Sequence, residues 1–216
     1  MSNLIIKILK ENKSFLLFIS LMFVFRSSIA DWNDVPTGSM NPTIVEGDRI
    51  LVNKMAYDLR LPFTNIQLMK LSDPERGDIV IFNSDVANKR FVKRVIGIPG
   101  DTVELRDNAL LINGQMLEYK TLTSDQVSLD KTEIIKGVEH LIRINKEGSS
   151  LSSFLPVKVP EGSYLVLGDN RDNSSDSRVI GLIPRDEIIG RTKSVILSLN
   201  YQNYFIPRAD RFIHAL

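Results

Sequence analysis

The sequence predicts a mostly β body preceded by one N-terminal apolar helix. Three observations carry this: a single long uncharged run, Phe15 to Phe25; seven later segments rich in Val, Ile and Leu; and Gly, Pro, Asp and Asn bounding those segments. At 216 residues, with 43% hydrophobic and 25% charged residues, the chain can bury a real core.

The apolar run "FLLFISLMFVF" follows Lys7, Lys10 and Lys13 and is closed by Arg26. As a membrane helix, Phe15 to Ala30 spans about 24 Å against a hydrocarbon core of about 30 Å, so Arg26 must snorkel or the bilayer thin. As a secretory signal it has a basic start, an apolar centre and a small-x-small site, Ser28-Ile29-Ala30. Length and flanks alone lean towards cleavage. In both readings the basic flank stays cytoplasmic and everything after Asp31 is exported. Trp32 suits an interfacial position. If the run is retained, Ser39 follows Arg26 within about 45 Å of extended chain, which tethers it to the membrane surface.

The strand-like segments come next in order: 49–54, 78–82, 90–98, 102–114, 140–144, 163–168 and 194–199. Gly-Asp pairs at 47–48, 77–78, 100–101 and 168–169 read as turns, since none has phosphate-loop spacing. Residues 115–160 are more polar and read as an inserted smaller lobe.

Composition removes several chemistries. A net charge of +1 gives no electrostatic reason to expect nucleic acid. No cysteine means no thiol nucleophile and no thiolate zinc site. The two histidines, His140 and His214, lie far apart and read as incidental polar side chains, so no metal site is expected.

A serine nucleophile here needs a base other than histidine, and lysine is the alternative. In "RFVKRVIGIPGD" strand alternation places Lys93 on one face with Phe91 and Val95, a dry setting that disfavours its ammonium form. In "PTGSMNPT" Gly38 removes bulk beside Ser39 and Pro42 restricts the loop. Thr37 offers a hydroxyl that can support an oxyanion with the Ser39 N–H. Gly168 to Arg178 contains no large apolar side chain; such a loop can hold a lysine amine by serine contacts, with Asp176 and Arg178 paired as scaffold.

These three stretches, in this order and separation, resemble the type I signal peptidases, membrane-bound serine proteases that remove signal peptides from exported proteins. "PTGSMNPT" is similar to the family's nucleophile box, "FVKRVIGIPGD" to its lysine box, and "GDNRDNSSDSRVIGLIP" to its glycine-aspartate-asparagine-arginine box. The resemblance implies an antiparallel β catalytic domain with a smaller β lobe, behind one N-terminal transmembrane helix. It implies Ser39 as nucleophile and Lys93 as general base, with Thr37, where the family usually has serine, beside Ser39 in the oxyanion hole. Ser174 then contacts the lysine amine, Asp176 and Arg178 support the loop, and Met40 shapes the substrate pocket. Implied partners are signal-peptide-bearing preproteins, cut after a small-x-small motif, and the lipid bilayer; no metal or cofactor is needed. The family retains its apolar segment, which reverses the lean towards cleavage. The expected organisation is a cytoplasmic 1–13, an anchor at 14–30 in the cell membrane, and an extracytoplasmic peptidase domain at 31–216 with 115–160 inserted. Self-cleavage at Ser28-Ile29-Ala30 is a further expectation to weigh.

The alternatives are a dedicated pilin or secretion-system peptidase, a self-cleaving repressor, a non-catalytic signal-peptide-binding homologue, and a secreted β-domain binding protein. The repressor needs an N-terminal helix-turn-helix in place of the apolar run. A silent homologue should have lost Ser39 or Lys93.

Overall fold

The computed structural model describes residues 10–64 and 66–216. Lys7 and most of the expected cytoplasmic segment lie outside the described residues. A helix, Lys13–Ser28, carries the apolar run, and its side chains Phe15, Leu17, Phe18, Leu21 and Phe23 are all exposed. No helix among the described residues is long and apolar enough to cross a membrane. At the helix foot Arg26 pairs with Asp31 at 2.7 Å and stacks on the Trp32 ring, 4.3 Å from its centroid.

The named strands of the body all pair antiparallel, with one isolated parallel bridge between Arg143 and Asn170. The strands are β1 (Ala30–Asp34), β2 (Asp48–Asn53), β3 (Asp58–Arg60), β4 (Gln67–Lys70), β5 (Ile79–Ser84), β6 (Lys89–Gly97), β7 (Thr102–Arg106), β8 (Ala109–Ile112) and β9 (Gln115–Met116). There follow β10 (Glu118–Ser124), β11 (Ser128–Ile135), β12 (Val138–Asn145), β13 (Phe154–Lys158), β14 (Ser163–Leu167), β15 (Ile183–Pro184) and β16 (Ile188–Asn200), with β17 (Ile206–Pro207) and β18 (His214–Ala215) pairing β16. The main sheet runs β1-β2-β16-β5-β6-β14-β15, beside a three-stranded β10-β11-β12, a four-stranded β13-β7-β8-β9 and the β3-β4 hairpin.

The central strands read as unbroken apolar runs because both their faces are covered. Ile79 and Ile81 of β5 join Val35, Met40, Ile44, Ile50, Val52 and Val195 in one buried cluster, while Val80 and Phe82 face Tyr57, Tyr164, Val166 and Ile188 in another. On β14, Leu165 and Leu167 turn to a third cluster with Val103, Leu105, Leu110 and Ile112. Each fully buried aliphatic side chain contributes about 1.5–3 kcal/mol over exposure, so β5, β6 and β14 form a stiff platform.

Three sequence readings change. The segment 102–114 is two strands, because Asp107 and Asn108 take φ of 46° and 62° and turn the chain back on itself. The polar segment 115–160 contains five strands and is tied to its surroundings at both ends, where β9 pairs with β8 and β13 with β7. Of the four Gly-Asp turns, Gly47, Gly77 and Gly100 have positive φ, but Gly168 does not. A Cβ on Gly168 would sit 2.2 Å from Ser174 Oγ and 2.4 Å from the Ser39 carbonyl oxygen, so close approach, not turning, requires it. The Ser28-Ile29-Ala30 site runs from the helix into β1, where Ala30 is already paired with Asn53.

Candidate active site

Ser39 sits in a single 3-10 turn, Gly38–Met40, that begins from extended Thr37. Two flanking anchors fix it: Val35 and Met40 are 3% and 1% exposed and both pack under β5. The turn's carbonyls are held from the other side by Asn170, whose backbone N–H donates to Ser39 O at 3.1 Å and whose amide donates to Gly38 O at 2.9 Å. The serine hydroxyl is left pointing at one partner.

That partner is Lys93 on β6, whose Nζ lies 2.7 Å from Ser39 Oγ and donates to Val92 O at 3.0 Å. Lys93 is 2% exposed and its Nζ stands 5.4 Å from the Phe91 ring centroid, as strand alternation predicts. Burial lowers its pKa from 10.5 to about 8, against the opposing pull of Asp176 and Asp169, with Arg178 adding slightly to the depression. An amine with that value is neutral in a useful fraction near neutral pH and can accept the serine proton.

The polar loop 168–178 lies beneath both residues. Arg94, next to Lys93, grips Asp169 with two bonds of 2.8 and 2.7 Å. Asp176 is fully buried; it accepts from Arg178 at 2.8 and 2.6 Å and from the Gly168 N–H at 2.9 Å. The expected Asp176–Arg178 pair is therefore present. Ser174 is 5% exposed and packs against Gly168, but its Oγ has no hydrogen-bond partner among the described residues. The resemblance implies a contact between Ser174 and the lysine amine; here Lys93 Nζ directs its bonds to Ser39 and Val92 instead. Thr37 is exposed and lines the cleft, with its hydroxyl making no hydrogen bond to the described residues.

The cleft has a volume of about 810 Å³, with Trp32, Thr37, Ser39, Phe91, Val92 and Lys93 among its walls. It is a groove of the size an extended peptide needs, with Phe91 and Val92 beside the cations Lys89, Arg90 and Lys93 on its β6 side. No cluster of three His, Cys, Asp or Glu suited to a metal ion exists among the described residues.

Sequence reasoning passed over Glu133, Arg171 and Asn170. Arg171 and Glu133 are both fully buried and joined by two bonds, and β12 bridges to the same loop, with Arg143 N–H donating to Asp169 O and Arg171 N–H to Arg143 O, each at 2.8 Å. Tyr119 also donates to Glu133 at 2.6 Å. His140, read as incidental, packs its buried ring 3.1 Å from Glu133, outside hydrogen-bond geometry; burial first and Arg94 second push its pKa down, keeping it neutral. The one sequence signal was alternation, which puts Glu133 on the same strand face as buried Ile135.

A family model described as signal peptidase, peptidase S26, matches residues 8–197. The chain is 36% identical to a signal peptidase I of Pseudomonas fluorescens over 208 residues, covering 88% of this chain and 73% of that protein. It is 34% identical to the signal peptidase I of Pseudomonas aeruginosa, with the same coverage, and 34% identical to signal peptidase I T of Bacillus subtilis, covering 89% and 86%.

Proposed function

The chain belongs to the signal peptidase S26 family, and from that premise we infer that it is a serine endopeptidase using Ser39 as nucleophile and Lys93 as general base. It removes signal peptides from preproteins. The observation that carries the mechanism is the 2.7 Å approach of a buried lysine amine to Ser39 Oγ.

Neutral Lys93 takes the Ser39 proton as the oxygen attacks the scissile carbonyl, and the ammonium returns that proton to the leaving amine. The oxyanion forms beside the Ser39 N–H and the Thr37 hydroxyl. Water then attacks the acyl-serine, again deprotonated by Lys93. Met40, buried beneath the nucleophile turn, shapes the cleft floor and favours small substrate side chains.

The anchor belongs to the same reading. The helix Lys13–Ser28 exposes an apolar surface that water does not favour, and Arg26, Trp32 and Asp31 mark its foot with interfacial chemistry. We place it in the cell membrane with its basic start cytoplasmic and the β body extracytoplasmic, so that Ser39 works at the bilayer surface.

The test uses detergent-solubilised full-length protein and a precursor bearing an Ala-x-Ala site. Wild type should cut after the second alanine, and Ser39→Ala and Lys93→Ala should lose at least about 10³-fold in turnover while remaining folded. Cleavage by either variant at the wild-type rate sinks the dyad.

A further inference from the structure

A second cavity of about 250 Å³ opens at the foot of the helix, lined by Ser28, Lys54, Arg60, Phe63, Thr64 and Arg90 among others. Three of its described lining residues are cations and none is a carboxylate. Arg60 shares Asp58 with Arg185, at 3.0 and 2.9 Å, and Arg185 in turn reaches Asp73 at 3.0 Å, so these two cations meet two carboxylates. Lys54 shares Asp31 with Arg26, at 3.5 and 2.7 Å, so that cluster keeps one positive charge. Arg90 donates through Nε to Asn83 at 3.0 Å and has no carboxylate within ion-pair distance among the described residues. Two positive charges are thus left over around one small space.

The donors are also unspent. Ser28 is 6% exposed and its buried Oγ has no hydrogen-bond partner among the described residues; the buried Nε of Arg60 likewise has none there. Buried donors without acceptors cost about 1–3 kcal/mol each unless something fills the site. Lys54 turns its hydrogens to the carbonyls of Arg26 and Ser27 at 3.0 and 3.1 Å and so acts as a point charge. The complement of these groups is a tetrahedral oxyanion with several acceptor oxygens. Its surroundings say where that anion comes from: the apolar helix ends at Ser28, and Phe63 on the cavity wall is 70% exposed.

We propose that this cavity binds the phosphate of a membrane phospholipid headgroup, holding the β body against the bilayer surface. The site does not depend on the Ser39–Lys93 dyad. Its lipid source rests on the membrane-anchor reading, and the soluble arm of the experiment separates the two.

Full-length protein in uncharged detergent is titrated with dioctanoyl phosphatidylglycerol by calorimetry, and in parallel with inorganic phosphate and glycerol 3-phosphate. The expected result is one saturable lipid site, weakened at least about tenfold by Arg90→Gln and less than about twofold by Lys89→Gln, a neighbouring exposed cation that does not line the cavity. Arg90 is itself exposed, so its replacement leaves the fold intact. Saturable lipid binding that both variants weaken equally is bulk electrostatics and overturns the site, as does the absence of saturable lipid binding. Inorganic phosphate binding as tightly as the lipid overturns the headgroup assignment.

Discussion

Glu133 and Arg171 meet through paired bonds of 2.9 and 2.5 Å with neither side chain exposed, although one lies on a strand of the 115–160 segment and the other in the loop beneath Ser39. Arg171 follows Asn170, the residue that holds the Ser39 and Gly38 carbonyls. The pair therefore ties the position of the Ser39 turn to the β10-β11-β12 sheet. Burial opposes ionisation of Glu133, but Arg171 overrides it and holds the carboxyl well below the usual range.

Removing one partner strands the other's charge. Glu133→Gln should destabilise the protein by about 3–5 kcal/mol and lower its melting temperature by roughly 10 °C, with kcat falling more than KM rises. A double variant with methionine at both positions should recover most of the stability but not the turnover, because the loop loses its fixed register. Full activity in a stable Glu133→Gln protein contradicts the coupling.

Lys93 gives a pH dependence of definite sign. Its folded value of about 8 lies below its ordinary 10.5. Cleavage measured as kcat/KM should therefore rise as pH passes through about 8 and then level, since only the free amine accepts the serine proton. Between 8 and 10.5 the unfolded chain binds the proton that the folded chain has lost, so stability increases with pH across that window. Lys93→Met should abolish activity yet melt higher than wild type at pH 7, by up to about 3 kcal/mol, with the difference shrinking towards pH 10.5. Equal stability at pH 7 would show that the buried amine costs nothing.

Much of this was legible from the chain. Strand alternation placed Lys93 with Phe91, and the scarcity of histidine and cysteine pointed to the lysine that the structure sets 2.7 Å from Ser39 Oγ. The β16 strand was read six residues too short at its start, because Gly190 and the charged Arg191 and Lys193 interrupt its apolar pattern. β1 was missed because "ADWND" is polar and takes its place only by pairing with β2. Glu133 and Arg171, 38 residues apart, carry no local signal of each other. Long-range partners of buried charges are set by topology, which short sequence patterns do not encode.

Gly168 yields a prediction from shape alone. A methyl group there would overlap Ser174 Oγ at 2.2 Å and the Ser39 carbonyl oxygen at 2.4 Å. Ser174 can rotate away, but the Ser39 backbone must move, carrying the hydroxyl off its 2.7 Å approach to Lys93. A misplacement of about 1 Å costs on the order of 10²-fold in rate. Gly168→Ala should thus lose kcat by that factor while KM changes little. Adding Ser174→Gly should not restore it, since the backbone clash remains; restoration would place the strain in the side chain instead.

Ser174 presents the opposite case, a buried hydroxyl with no partner beside the nucleophile's carbonyl. Such a group is a net cost in the resting protein, and a catalytic use elsewhere in the cycle is one way that cost is offset. When Ser39 leaves Lys93 to form the acyl-enzyme, the amine loses its 2.7 Å partner, and the nearby hydroxyl is then free to take that place. Replacing it should separate stability from turnover. Ser174→Ala should melt at the same temperature as wild type or slightly higher, yet lose about ten- to a hundredfold in kcat, with single-turnover measurements locating the loss in deacylation. A variant that loses stability but not turnover would make Ser174 a structural residue of the loop, and the lysine would then be held by Val92 and burial alone.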